Sequence, residues 1–185
     1  MSLQGTSITL DQTCKATRIP SGEVLHLNPG ETYSISQALG GSVTLRDSNG
    51  LYMVSKEDAV ALGQEIVDQL GQLTDDGEGD APFSEESVWD ALRKCFDPEI
   101  PVNIVDLGLI YNLEIQELTE GRYQVDIKMT LTATGCGMGP TIASDAQSKI
   151  EAIPAVESAK VEIVWDPQWT PHMISDEARK ILGLD

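Results

Sequence analysis

The sequence is short of bases. Twelve lysines and arginines stand against thirty aspartates and glutamates, a formal net charge of −18. The chain therefore lacks the basic face that a phosphate backbone requires, and nucleic acid is not an expected partner. Long apolar runs are missing too. No stretch approaches the roughly 18 consecutive apolar residues of a membrane-crossing helix, and the first residues have neither the basic nor the hydrophobic segment of a secretory signal. No membrane partner is expected, and the expected location is cytoplasmic. Cysteine is scarce: Cys14, Cys95 and Cys136 are odd in number and far apart, which argues against a secreted disulfide framework and for reduced thiols. Histidine occurs only at His26 and His172. With no CxxC and no paired His-Cys box, one chain does not encode a closed four-ligand zinc site or a self-sufficient iron-sulfur site.

What is present is an ordinary globular composition. With 185 residues, 41% of them hydrophobic, the chain is long enough to bury one or two cores without covalent staples. The charge is uneven along it. Residues 71–90 carry seven acids (Asp75, Asp76, Glu78, Asp80, Glu85, Glu86, Asp90) and no base. The stretch TDDGEGDAP repels itself and has nothing to bury, so it reads as a linker. The expected organisation is a mainly-β module over 1–73, an acidic linker over 74–83 and a second module over 84–185.

In the first module, Val24, Leu25 and Leu27 precede an Asn28-Pro29-Gly30 turn, Tyr33 and Ile35 alternate, and Asn49-Gly50 separates two apolar runs as a two-residue hairpin turn does. Ser55 and Asp58 have capping-box spacing, and Gly63 offers a stop, so one short helix is expected there. The module reads as structural or partner-binding.

The second module alternates its periods. Ser84 caps a helix in which Val88, Ala91, Leu92 and Cys95 share a face, and it stops before Asp97-Pro98. Leu109, Tyr111, Leu113 and Ile115, then Tyr123, Val125, Ile127, Met129 and Leu131, follow the period of two strands. Pro140 opens a helix with Ile142, Ala143, Ala146 and Ile150 on one face. A third strand is expected with Val161, Ile163 and Trp165 inward. Met173, Ile174, Ala178, Ile181 and Leu182 suggest a last helix capped by Thr170 and stopped near Gly183. The predicted class is α+β: a two-layer αββαβα domain with a small mixed sheet, preceded by the smaller mainly-β module.

Three segments carry chemistry. In LTATGCGMGP, Thr134, Gly135, Cys136 and Gly137 lie between a strand end and a helix start. Free N–H groups and the helix dipole there favour a thiolate, and the glycines leave room for a metal or partner to approach it. An incidental cysteine in a glycine-rich turn is the alternative. Cys95 reads as a core residue, and Cys14 has no partner at ligand spacing. In DPEIPVNIVDLGL, Asp106 stands just ahead of the first strand, on the same sheet edge as Cys136 if the two strands form a hairpin. It reads either as a hard ligand or supporting group, or as a turn residue holding its own backbone. In VWDPQWTPHMI, two tryptophans and two prolines form an apolar ledge, structural or partner-facing, with His172 toward solvent.

At DPEIPVNIVDLGLIYNLEI, MTLTATGCGMGP and VWDPQWTPHMISDEARKILGL, about Ser84 to Leu184, the sequence resembles the small domain of iron-sulfur cluster maturation factors of the SufT and PaaD type. Ile35-Ser36-Gln37-Ala38-Leu39-Gly40-Gly41 looks like the extension of SufT proteins. The resemblance implies an accessory factor, not an enzyme. A transient iron-sulfur cluster would be its cargo, and client apo-proteins and cluster scaffolds or carriers its partners. It maps the functional cysteine to Cys136 and the Asp of the DLGL motif to Asp106. Thr134 stands where such loops often have proline. Related domains occur fused to a P-loop ATPase, but no GxxxxGK[ST] is present here, so ATP use is not implied. Cys136 is then the metal-contacting residue, with the remaining ligands from a second protomer, a small thiol or a client. A homodimer would pair two such thiols. A cysteine-dependent enzyme and an acidic scaffold are the competing readings.

Overall fold

The computed structural model describes residues 3–74 and 82–184. It divides into two compact units, Met1–Gly79 and Asp80–Asp185. Most of the expected linker, residues 75–81, lies outside the described residues.

The first unit is a six-stranded antiparallel sheet of β1 (Ser7–Thr9), β2 (Cys14–Ile19), β3 (Val24–Leu27), β4 (Thr32–Leu39), β5 (Ser42–Asp47) and β6 (Gly50–Val54), in the order β1-β4-β5-β6-β2-β3. Tyr33 and Ile35 from β4, Val43 and Leu45 from β5, and Tyr52 and Val54 from β6 face one core. Complete burial of each aliphatic side chain there contributes about 1.5–3 kcal/mol. The β5–β6 hairpin forms, but its turn sits one residue earlier than the sequence suggested. Asp47 pairs with Gly50, leaving Ser48-Asn49 as the turn. Asp47 Oδ1 accepts from the N–H groups of both Asn49 (2.7 Å) and Gly50 (3.0 Å), which fixes that register. After β6, Ser55 Oγ accepts from the Asp58 N–H at 3.3 Å and starts a 3₁₀ turn over Asp58–Leu62. A further helix, α1 (Gln64–Thr74), buries Ile66 and Leu70 on the same core. Strands β1 and β2 and helix α1 were not anticipated from the sequence.

The second unit opens with α2 (Glu85–Arg93). Ser84 and Ser87 exchange reciprocal backbone-to-hydroxyl hydrogen bonds at 3.3 Å, a capping box with serine in the place usually held by Glu. Val88 and Leu92 are fully buried. An antiparallel pair follows, β7 (Ile110–Thr119) and β8 (Arg122–Met129), then α3 (Gly139–Glu151) and β9 (Val156–Ile163), which runs parallel to β8. The strand order β7-β8-β9 puts β8 in the centre. Its alternation is complete: Val125, Ile127 and Met129 are buried, while Gln124, Asp126 and Lys128 alternate with them. Ile142, Ala146 and Ile150 of α3 are also buried. The small mixed sheet with helices is the expected α+β architecture.

Three local expectations fail in the last segment. Trp165 is not inward but 46% exposed, because β9 ends at Ile163 and the alternation does not continue beyond it. The final helix, α4 (Asp176–Leu182), starts later than Met173. Pro171–Met173 is a separate 3₁₀ turn, and Ile174 is extended (φ −67°, ψ 134°), which breaks the helical path. Ser175, not Thr170, caps α4: its Oγ accepts from the Ala178 N–H at 3.2 Å, while Thr170 makes no side-chain cap bond.

Candidate functional site

Strand pairing assembles one end of the small sheet. Ile110 at the start of β7 pairs with Met129 at the end of β8, and the Thr130 N–H donates to the Leu109 carbonyl at 2.8 Å. The Val164 N–H donates to the Met129 carbonyl at 2.7 Å. The DLGL turn, the loop after β8 and the loop after β9 therefore all leave from this end.

The loop after β8 runs from Thr130 to Met138 and carries Cys136. Its two ends are anchored, with Leu131 and Met138 buried, while Ala133, Thr134 and Gly135 are exposed and Cys136 and Gly137 are half-buried. Thr134-Gly135 forms a turn, and Gly135 has a φ of +83°, the left-handed region where an L side chain is strained. The Cys136 carbonyl accepts from the Gly139 N–H at 3.3 Å, so the thiol sits three residues ahead of the first residue of α3. No backbone N–H from Thr132 to Gly137 donates to a protein acceptor among the described residues. The loop thus presents a series of donors next to the cysteine.

The other two thiols differ from Cys136 in environment. Cys14 lies in the core of the first unit. Burial, helped by the charge of Asp58, pushes its thiol up to about 11 from 9.0. Cys95 is fully buried behind α2, and burial pushes it up to about 12. Both are held protonated in hydrocarbon. Cys136 is the one described cysteine with solvent access.

Asp106 is fully engaged. Asn103 Nδ2 donates to Oδ2 at 2.6 Å and Ser175 Oγ donates to Oδ1 at 3.1 Å, while the Ser175 N–H donates to the Asp106 carbonyl at 2.8 Å. Its own N–H donates to Asn103 Oδ1 at 2.9 Å. The carboxylate ties the DLGL turn to the cap of α4. The structure brings Asp106 and Cys136 to the same end of the sheet, but none of the hydrogen bonds from Asp106 reaches the cysteine loop. Among the described residues, no three His, Cys, Asp or Glu side chains converge as a metal-ligand set.

The tryptophan ledge folds back over the same end. Trp169 Nε1 donates to the Leu107 carbonyl at 2.8 Å, and Tyr111 Oη donates to the Pro167 carbonyl at 2.8 Å. Trp169 is half-buried, Trp165 and Gln168 are exposed, and His172 faces solvent as its sequence position suggested. Between this segment and Thr130–Thr134 lies a cleft of about 180 Å³. One of its lining residues, Thr130, is 1% exposed, and its buried Oγ1 has no hydrogen-bond partner. Thr130 and Ser175 are not singled out by the sequence motifs. The run Thr130, Thr132, Thr134 at the end of an apolar strand is the signal that marks the first, whereas Ser175 is 69 residues from its partner and has no local signal.

The model for a family described as iron-sulfur cluster assembly protein matches residues 85–163. A protein of Porphyromonas gingivalis named Fe-S protein maturation auxiliary factor is 40% identical over 101 residues, 55% of this chain and 92% of that protein. The Fe-S protein maturation auxiliary factor SufT of Staphylococcus aureus is 42% identical over 88 residues, 48% of this chain and 96% of that protein. The auxiliary factor YitW of Bacillus subtilis is 37% identical over 102 residues, 54% of this chain and 94% of its own length. Among solved structures, a domain of unknown function, DUF59, from Bacillus anthracis superposes with a TM-score of 0.50 at 33% identity, covering 55% of this chain and 92% of that one.

Proposed function

The chain belongs to the family of iron-sulfur cluster assembly proteins, and on that footing we propose that it passes or inserts clusters into client apo-proteins through Cys136. The observation that carries this reading is the contrast among its thiols: Cys14 and Cys95 are sealed in cores, and Cys136 alone has solvent access, in a glycine-flanked loop ahead of α3. A cargo ligand must be reachable and replaceable. A single accessible thiolate leaves the other iron positions to outside ligands, whereas a closed set of four would hold the cluster in place. In the exchange, the Cys136 thiolate binds one iron of the incoming cluster and a client thiolate later replaces it, with no net redox change. The remaining ligands come from a second protomer, a small thiol or the client.

The neighbouring residues have supporting roles. Thr134, Gly135 and Gly137 shape the loop and leave its N–H groups open toward sulfide and thiolate charge. Asp106 acts as a positioning residue through Ser175, and the segment from Trp165 to Met173 forms part of the client or dimer surface. The names of the relatives favour an accessory role over turnover chemistry. The test is anaerobic reconstitution of the full chain with iron and sulfide. Cluster absorbance that appears with wild type and is lost with Cys136→Ala supports the reading, and equal absorbance from both refutes it.

A further inference from the structure

The long outer strand of the small sheet is left open. In the order β7-β8-β9, strand β7 pairs on one side only, and the backbone of its other side has no partner among the described residues. Two bonds of β8 fix which groups these are. The Met129 carbonyl accepts from the Val164 N–H and the Tyr123 N–H donates to the Ala155 carbonyl, so the odd-numbered residues of β8 turn their backbone toward β9. The even-numbered ones therefore bond to β7, where Lys128 pairs with Asn112, Asp126 with Glu114 and Gln124 with Gln116. The N–H and C=O groups of Leu113 and Ile115, which lie in between, point away from the sheet.

Open edges invite pairing, and folds blunt them with short strands, proline or lysine. The other edge strands follow that rule: β1 has three residues, β3 has four, and β9 carries Lys160. Strand β7 has ten residues, IYNLEIQELT, without proline, lysine or arginine. Its bulges lie near its two ends and leave residues 112–117 regular. The side chains indicate what would pair there. Leu113 and Ile115 are half-buried on the face where Ile127 and Val125 are buried, so apolar side chains on an added strand would extend that layer. On the opposite face Glu114 is exposed and stands across from Asp126. Asp126 has Lys160 on its β9 side, whereas Glu114 takes part in none of the described ion pairs. A cation on a strand beyond β7 would relieve this pair of carboxylates, and the net charge of −18 favours a basic partner as well. A second copy of the chain fits poorly, because the antiparallel register that sets Leu113 against Ile115 also sets Glu114 against Glu114.

We propose that β7 is a docking edge, where an extended segment of a partner protein, apolar at alternate positions and basic between them, adds as a further strand of the small sheet. The main-chain groups of Leu113 and Ile115 hold the segment, and Glu114 selects its basic residues. Strand β7 begins at the sheet end from which the Cys136 loop leaves, so a segment laid along it leads to that loop. The docking itself does not depend on the role given to Cys136.

The experiment titrates the full chain, at physiological salt, with a short end-blocked peptide that alternates valine and lysine, read by calorimetry and by amide hydrogen exchange. The control peptides hold the same residues in two blocks, or glutamate in place of lysine. The alternating peptide is expected to saturate with a Kd below about 1 mM, and both controls to bind at least tenfold more weakly. The amides of Leu113 and Ile115 are expected to exchange rapidly in the free chain and at least tenfold more slowly in the complex, while those of Asn112 and Glu114 stay slow in both. Ile115→Pro removes an outward N–H and leaves the bonds to β8 in place, and it should weaken binding at least fivefold. Glu114→Lys should do the same and serves should the first variant not fold. Equal binding of the block peptide, slow exchange at Leu113 and Ile115 in the free chain, or unchanged affinity in both variants overturns the proposal. A dimer of the free chain that Ile115→Pro or Glu114→Lys dissociates, seen by light scattering, gives the edge to a second copy and overturns it too.

Discussion

Ser175 gives two hydrogen bonds to Asp106, from its N–H to the backbone carbonyl at 2.8 Å and from its hydroxyl to the carboxylate at 3.1 Å. One serine thereby caps α4 and clasps it to the turn that leads into β7. The segment in between is held down along its length by the bonds of Trp169 to Leu107 and of Tyr111 to Pro167. The wall of the cleft next to the Cys136 loop is therefore positioned by contacts that do not involve the cysteine.

Removing the clasp should loosen that wall. Asp106→Ala leaves Asn103 Nδ2 and Ser175 Oγ without their acceptor, and such a loss costs about 1–3 kcal/mol. The expected result is a lower Tm for the second unit, checked by thermal unfolding, with Cys136 still labelled by thiol reagents. An unchanged Tm would mean that the carboxylate has no positioning role.

Gly108 is a stricter position. Its φ is +73°, and a Cβ there would sit 2.8 Å from the Met173 carbonyl carbon. Backbone strain of about 1–2 kcal/mol adds to a clash against main chain that cannot rotate away. Gly108→Ala should cost more stability than Asp106→Ala. Chemical denaturation of the two variants side by side decides the order.

Thiol chemistry should separate the cysteines. Burial raises Cys14 to about 11 and Cys95 to about 12, both from 9.0, so both remain protonated at pH 8. One thiol per chain should react rapidly with a disulfide reagent in the folded protein and three after unfolding. A second rapid thiol contradicts the burial argument. The raised values also give a sign for stability: the contribution is fully present below the unfolded value of 9.0 and is lost as pH rises through the folded values. Unfolding free energy, followed by denaturant titration, should therefore fall above about pH 9 through these two thiols.

Thr130→Val should stabilise the second unit, because it removes a buried hydroxyl that has no partner. Unsatisfied buried groups cost about 1–3 kcal/mol, so a gain of about 1 kcal/mol is expected, measured by denaturant unfolding. A loss of that size would show that Oγ1 is satisfied by ordered water.

Much of the second unit was legible because its cues are local. Leu113 and Ile115 sit opposite Ile127 and Val125, and a period of two makes such pairs visible in sequence. Ser84 is followed by acids and an apolar stripe, which marks a helix start. The misses have equally local causes. Among the described side chains of α1, Ile66 and Leu70 are buried, and two positions set no period. Strand β1 has three residues, and β2 places small Cys14 and Ala16 on its buried face, giving little hydrophobic contrast. A period of two carried past Ile163 predicts an inward Trp165, but β9 ends at Ile163 and the strand rule no longer applies there. At the candidate site, the cysteine between glycines was visible as a motif. The clasp of Asp106 by Ser175 spans 69 residues, and the orphan hydroxyl of Thr130 depends on what packs around it, so neither has a signature in spacing.

The central claim is that Cys136 carries the cargo. Its most direct test is the rate of cluster transfer from the loaded full chain to an apo-ferredoxin acceptor, followed by the acceptor's spectrum, for wild type and Cys136→Ser with equal amounts of iron and sulfide. The expected result is a rate for Cys136→Ser at least tenfold lower and indistinguishable from free iron and sulfide. Equal rates for the two proteins would contradict the claim.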